Sequence, residues 1–137
     1  MAESTPRVLL EIPAADEYRA LRSAAGLSAM SAEAAMLGLP ASWCSVCVRD
    51  SDALIGMGRV VGDGGLFFLV VDIAVSPAWQ GKGWGTRIME TLMEQLRARA
   101  PATAMIGLIA DGTAWQMYQR FGFKLVAPAA HGMLLRL

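Results

Sequence analysis

The 137-residue chain is long enough for one domain with one sizeable core, and its 12 basic and 12 acidic side chains cancel,. With no Lys/Arg cluster it lacks the field that draws proteins to nucleic acid or anionic membranes, so no nucleic-acid partner is expected,. Although 55% of its residues are hydrophobic, the longest clean apolar run, Leu66 to Val71, stops at Asp72, far short of the ~20 residues of a spanning helix, and no membrane partner is expected either,.

Glu3 precedes any basic residue and no run of signal-peptide length occurs before Pro13, so no export signal is expected and the cytoplasm is the expected compartment,. Arg7 to Ile12 reads as a short strand. After Pro13 come a helix near Asp16 to Ala24 and another near Ser31 to Leu37, with Ser31 as N-cap,. Trp43 to Val48 and Leu54 to Val61 are rich in β-formers and separated by the polar turn Arg49-Asp50-Ser51-Asp52,. A second turn, Gly62-Asp63-Gly64-Gly65, leads into the strand Leu66 to Val75. Connections this short cannot join parallel neighbours, so the three strands form an antiparallel meander. Within it, Cys44 and Cys47 form a C-x-x-C that could serve redox chemistry or half a zinc site,. On a strand, positions three apart face opposite ways. No second Cys pair exists and His131 is the single histidine, so two buried structural thiols and no metal are expected.

After Ser76-Pro77 and a glycine-rich turn, a helix is predicted from about Gly83 to Ala100, with Ile88, Leu92 and Leu96 on one face and Pro101 closing it,. Ala104 to Ile109 reads as a strand and Gly112 to Phe121 as a short helix, with Ala114, Tyr118 and Phe121 on one side; strands near Gly122 to Val126 and Gly132 to Leu137 complete the pattern. The strand–helix–strand from 66 to 109 is a crossover that sets two strands parallel. The expected fold is α/β, a mixed, mostly antiparallel central sheet flanked by helices, in a single domain over residues 1–137 without repeats or long linkers. The apolar excess predicts a surface buried against a second copy, hence a homodimer.

The chemistry concentrates in Val71-Asp72-Ile73-Ala74-Val75-Ser76-Pro77-Ala78-Trp79-Gln80-Gly81-Lys82-Gly83-Trp84-Gly85-Thr86. A strand ends, and alternate glycines open a helix whose first amides have no partner within it. Free N–H donors and the positive end of the helix dipole make an anion site, and glycine lets a phosphate reach the backbone, so a diphosphate ligand is expected. A Walker loop would need Ser or Thr after Lys82, where Gly83 stands,. A dinucleotide fingerprint would need G-x-G-x-x-G in a βαβ unit, whereas Gly81, Gly83 and Gly85 are spaced two and two,.

Gln80-x-x-Gly83-x-Gly85 resembles the Q/R-x-x-G-x-G/A acyl-CoA loop of the GNAT superfamily, and Asp72 to Pro77 resembles the end of that family's central strand. One strand later, Tyr118-Gln119-Arg120-Phe121-Gly122-Phe123 resembles its second signature, a Tyr followed by Gly-Phe. The likeness implies a GNAT (acyl-CoA N-acyltransferase) fold with acetyl-CoA as cosubstrate. It places the pantetheine arm along Ile73, Ala74 and Val75, where the central strand splays from its parallel neighbour at a bulge, with the Val75 amide after the bulge as oxyanion donor, and the pyrophosphate on Gln80, Gly81, Lys82, Gly83, Trp84, Gly85 and Thr86.

Tyr118 is the candidate acid, since a phenol stays protonated at neutral pH and can donate to departing thiolate; it also fits a core position on its helix. Asp72, a charge in an apolar strand, is the candidate base, with ion pairing to an Arg as the other reading. Relatives often carry a glutamate earlier on this strand, and Leu66 to Val71 has none. Asp111 stands where relatives often have an asparagine that bonds pantetheine, but its first reading is as N-cap of the helix at Gly112. Trp79 and Trp84 either cover the cofactor or pack. Tyr18, Arg19, Arg22, Met30 and Met36, the 62–65 turn and the 127–132 loop fall where such folds select the acceptor, and Arg19 or Arg22 could meet an acidic substrate group or lie solvated. The expected reaction is transfer of acetyl from acetyl-CoA to the primary amine of a small molecule by direct attack in a ternary complex. A protein or peptide amine acetyltransferase and a non-catalytic acyl-CoA-binding sensor are the alternatives.

Overall fold

The structure, a computed structural model, describes residues 5–137. Glu3, on which the export expectation draws, lies outside the described residues. The elements follow in the order β1 (Arg7–Leu10), α1 (Ala15–Ala24), α2 (Ala32–Gly38), β2 (Cys44–Asp50), β3 (Ala53–Gly62), β4 (Phe67–Val75), α3 (Trp84–Arg99), β5 (Met105–Leu108) and α4 (Trp115–Gln119). One sheet runs β1-β2-β3-β4-β5. Its first three pairings are antiparallel and β4–β5 is parallel, the mixed sheet the connection lengths require,.

Ends and turns are built by local chemistry. Ser31 Oγ accepts from the Ala34 amide at 3.0 Å and caps α2, while Glu17 reaches back to the Ala14 amide at 2.8 Å and starts α1,. In the β3–β4 turn a single oxygen of Asp63 accepts from the amides of Gly65, Leu66 and Phe67,. These bonds hold Asp63's carboxyl below its ordinary range.

Two cores sandwich the sheet. Ile88, Met89, Leu92, Met93 and Leu96 of α3 pack on Val46, Val48, Val60, Phe68 and Val70. On the opposite face Tyr18, Leu21, Ala35 and Leu39 pack on Met57 and Ala74. Cys44 belongs to the first core and Cys47 bonds Glu11 C=O through its thiol at 3.4 Å, so both are buried free thiols separated by the sheet. Burial raises the pKa of each, Cys47 to about 12.

The C-terminal segment departs from expectation. Neither Gly122 to Val126 nor Gly132 to Leu137 forms a strand, and the sheet ends at β5. Leu134 and Leu135 are 82% and 87% exposed. Apolar β-formers become a strand only when an edge satisfies their backbone and a surface takes their side chains, and this segment pairs with no strand among the described residues. The last helix is also shorter than predicted, because Gly112 turns at φ 55° and α4 begins only at Trp115.

Candidate functional site

The central irregularity lies in β4. Met57 pairs with Ala74 and Arg59 with Val71, so Gly58 alone faces Asp72 and Ile73. This one-residue bulge puts Asp72 at φ 61°, the left-handed region that non-glycine residues seldom occupy,. The extra residue inverts the alternation: Phe68 and Val70 enter the α3 core, whereas Ala74 enters the core under α1 and α2. Pairing with β5 stops at Val70↔Leu108, just before the bulge, and β4 continues to Val75 with that edge free.

The Ser76 amide donates to Ile55 C=O at 2.8 Å, so antiparallel alternation turns the Val75 amide away from β3, into the opening beside β5,. Val75 C=O on that side accepts from Gln80 Nε2 at 2.9 Å. Sequence reasoning placed an added-strand partner at Ile73, Ala74 and Val75, and the structure brings these three to a free strand edge.

Beyond Gln80 the chain reverses through Gly81 and Gly83, at φ 75° and 88°, and Gly83 is the N-cap of α3. These left-handed turns need glycine. Among the described residues, the amides of Gly81, Lys82, Gly83, Trp84, Gly85 and Thr86 meet no acceptor; the first bond into the helix runs from Arg87 N–H to Gly83 C=O at 3.0 Å. A Cβ on Gly81, Gly83 or Gly85 would meet nothing within 4 Å. A row of free donors at the positive end of a 16-residue helix, open to close approach, fits a diphosphate,. Lys82 Nζ lies 5.1 Å from the Trp79 ring centre, and Trp79 and Trp84 both pack half-buried against the α3 core.

Tyr118 lies on α4, half-buried against the same core, its ring edge-on to Phe123 at 6.4 Å. Burial, and then the Asp111 charge, push its phenol above the ordinary 10.0, so it is a proton donor at neutral pH,. Asp111 is exposed and does not cap a helix at Gly112; its carbonyl accepts from the Ala114 amide at 3.1 Å in the turn before α4.

Asp72 is turned toward α1. Its side chain, 6% exposed, takes Tyr18 Oη–H at 2.8 Å and Arg59 Nε–H at 2.6 Å on one oxygen and Arg22 Nη1 on the other. Arg22 is therefore buried, not solvated, and also donates to Ser28 C=O and Oγ at 2.8 and 3.0 Å. Arg19 instead donates to Met30 C=O at 2.9 Å. Burial and the Asp72 charge raise the Tyr18 pKa. Arg59 escaped the sequence reading, although a lone Arg in one apolar strand and a lone Asp in the next are a usable signal. A cavity of about 80 Å³ between α1, α2 and β3 is lined by Tyr18, Met30, Ala34, Leu39 and Arg59. His131 and the 127–132 loop are exposed. Among the described residues no cluster of His, Cys, Asp or Glu could hold a metal, and no helix is long and apolar enough to cross a membrane.

Residues 41–125 match the family model described as an acetyltransferase (GNAT) domain. A protein of unknown function from meticillin-resistant Staphylococcus aureus, designated a probable acetyltransferase, superposes with a TM-score of 0.93 at 41% identity, covering 97% of this chain and 100% of that one. A GNAT family acetyltransferase from Brucella melitensis, solved in complex with acetyl-CoA, shares the fold at a TM-score of 0.65 and 23% identity, over 88% of this chain and 84% of that one. The GCN5-related N-acetyltransferase 2, chloroplastic, of Arabidopsis thaliana is 34% identical over 80 residues, 58% of this chain but 30% of that protein's length.

Proposed function

Since the chain belongs to the GNAT acetyltransferase family, we propose that it transfers an acetyl group from acetyl-CoA to the primary amine of a small molecule, with both substrates bound at once. The carrying observation is the continuity of the free edge of β4 with the unpartnered amides of Gly81 to Thr86. Acetyl-CoA supplies an activated acyl group as a thioester, and the remaining tasks fall to the chain. The amides at the head of α3 hold the diphosphate, and the open space over Gly81, Gly83 and Gly85 admits it,. The Val75 N–H, aimed into the opening, donates to the acyl oxygen as negative charge grows there, a role worth about 3 kcal/mol where comparable donors have been removed. Tyr118 keeps its proton at neutral pH and gives it to the sulfur as the amine attacks and thiolate departs; the proton that the nitrogen sheds on becoming an amide restores the phenol through solvent,.

Asp72, with both oxygens engaged by α1 and β3, is assigned the holding of the bulge, and so of the Val75 amide, in place of the proton-accepting role expected from the sequence. A small acceptor is favoured over a peptide by the small volume, about 80 Å³, of the cavity beside Arg59. The homodimer expected from composition is supported by the exposed leucines 134 and 135 and by the outer edge of β5, unpaired among the described residues.

The reading is tested by release of CoA thiol from acetyl-CoA across a panel of small amines and lysine-bearing peptides. Release with small amines is expected. If acetyl-CoA raises the melting temperature but no acceptor yields thiol, the chain is a binder and not an enzyme.

A further inference from the structure

Charge and hydrogen-bond accounting around Asp72 leaves a surplus. Arg22 and Arg59 bring two positive charges to one carboxylate. The nearby acids Glu11 and Glu17 are committed elsewhere, to Arg49 at 2.6 and 2.8 Å. Arg22 uses all three guanidinium nitrogens, on Asp72 and Ser28. Arg59 uses two. It gives Nε–H to Asp72 and one Nη1–H to Ser42 Oγ at 3.2 Å. A guanidinium has five N–H donors, so three of Arg59's have no acceptor among the described residues,. None of its nitrogens is sealed from solvent without a partner. The same side chain lines the cavity of about 80 Å³ whose other walls are the Tyr18 ring, Met30, Ala34 and Leu39.

An unspent, largely buried guanidinium facing a small apolar cavity is a receptor for an anion. We propose that Arg59 anchors the carboxylate of the acceptor, so that the preferred substrate is an amine bearing a carboxylate at its far end. The position suits this. Arg59 pairs across the ladder with Val71, where the free edge of β4 begins, and it lies on the sheet face toward which Asp72 is turned. The free edge of β4 is left to the pantetheine arm, and a substrate held at Arg59 by its acid reaches the thioester from the α1–α2 face of the sheet. A planar carboxylate matches the in-plane donors of one guanidinium. The proposal rests on the acetyl-transfer reading for the word acceptor, but not for the anion site itself.

Two arms separate those claims. In the first, thiol release is followed with pairs of ω-amino acids and their carboxamides of equal chain length. Wild type is expected to favour the acid over the amide by at least about tenfold in kcat/KM, because a site built for a hydrogen-bonded group rejects the analogue without it. Arg59→Gln is expected to collapse that ratio, through the KM of the acid. Ala34→Leu fills the cavity from the exposed side of α2 without touching Asp72 and should also lower the ratio, which covers the case in which Arg59→Gln does not fold. In the second arm, without acetyl-CoA, butyrate at millimolar concentration should raise the melting temperature of wild type and butyramide should not; Ala34→Leu should lose the butyrate response. No acid preference in wild type, or a preference that survives both substitutions, overturns the proposal. Absence of thiol release with every amine defeats the enzymatic reading, and the anion site then stands or falls on the butyrate arm.

Discussion

A methyl group on Gly58 would sit 2.6 Å from Ile73 Cδ1 and equally close to Ile88 Cγ2, so the bulged stretch of β4 and the core of α3 close over a position that admits no side chain. Ile88 is fully buried and Cγ2 is not the free end of a long chain, so the contact cannot simply swing away,. Gly58→Ala is therefore expected to destabilise the fold by about 1–3 kcal/mol, the usual cost of overpacking. The midpoint of urea denaturation reads it, and a variant as stable as wild type would show that the bulge has slack.

Gly83→Ala separates folding from binding. In the free protein the added Cβ meets open space, and the cost is the left-handed turn at φ 88°, on the order of 1 kcal/mol,. In the complex that Cβ competes with the phosphate for the amides of α3. CoA titrated into the variant should bind at least about tenfold more weakly, a loss of 1.4 kcal/mol or more. Equal heats of binding would remove the loop from the cofactor site.

Tyr118→Phe should lower kcat by about a hundredfold, within the range of general acid catalysis, while changing acetyl-CoA affinity little. The opposite split would assign the ring to packing. Because burial and Asp111 hold the phenol above 10.0, the acid form persists beyond that pH, and wild-type kcat should show no alkaline fall from this group below about pH 10,.

The two thiols set an alkaline limit on stability. The Cys47 pKa is raised from 9.0 unfolded to about 12 folded, so the unfolded chain loses its proton first. The stabilisation is whole below pH 9 and is lost as pH rises toward about 12,. Cys47→Ala should flatten that decline in melting temperature. A thiol reagent at pH 8 should label neither Cys44 nor Cys47 until denaturant is added, and fast labelling of the native protein would contradict their burial,.

The proposed dimer is read by sedimentation. Wild type is expected to sediment at twice the chain mass at micromolar concentration, and Leu134→Asp with Leu135→Asp to shift it to monomer. A wild-type monomer at that concentration would sink the proposal.

What was legible in the sequence was local. The meander follows from turn lengths, the long helix from its apolar spacing, and the Gln80–Thr86 loop from alternate glycines between a strand and that helix. Asp72 was singled out as a charge in an apolar strand, but its partners were not, because Tyr18 and Arg22 stand 54 and 50 residues earlier and meet it only once α1 lies across the sheet. A bulge on this strand was implied by the family resemblance alone; its place, opposite Gly58, shows only as a one-residue mismatch between β3 and β4. The terminal strands were over-read because β-forming residues report a capacity for pairing and not the presence of a neighbour.

The bond from Gln80 Nε2 to Val75 C=O joins the turn proposed to hold the phosphates to the strand end whose Val75 amide is the proposed oxyanion donor. With it in place the two cannot drift apart as separate loops: a tug on the cradle is transmitted to the strand through one amide side chain. On the proposed reading, seating the nucleotide end of a long, flexible molecule also fixes where its reactive end finds its hydrogen bond, some five residues up the chain.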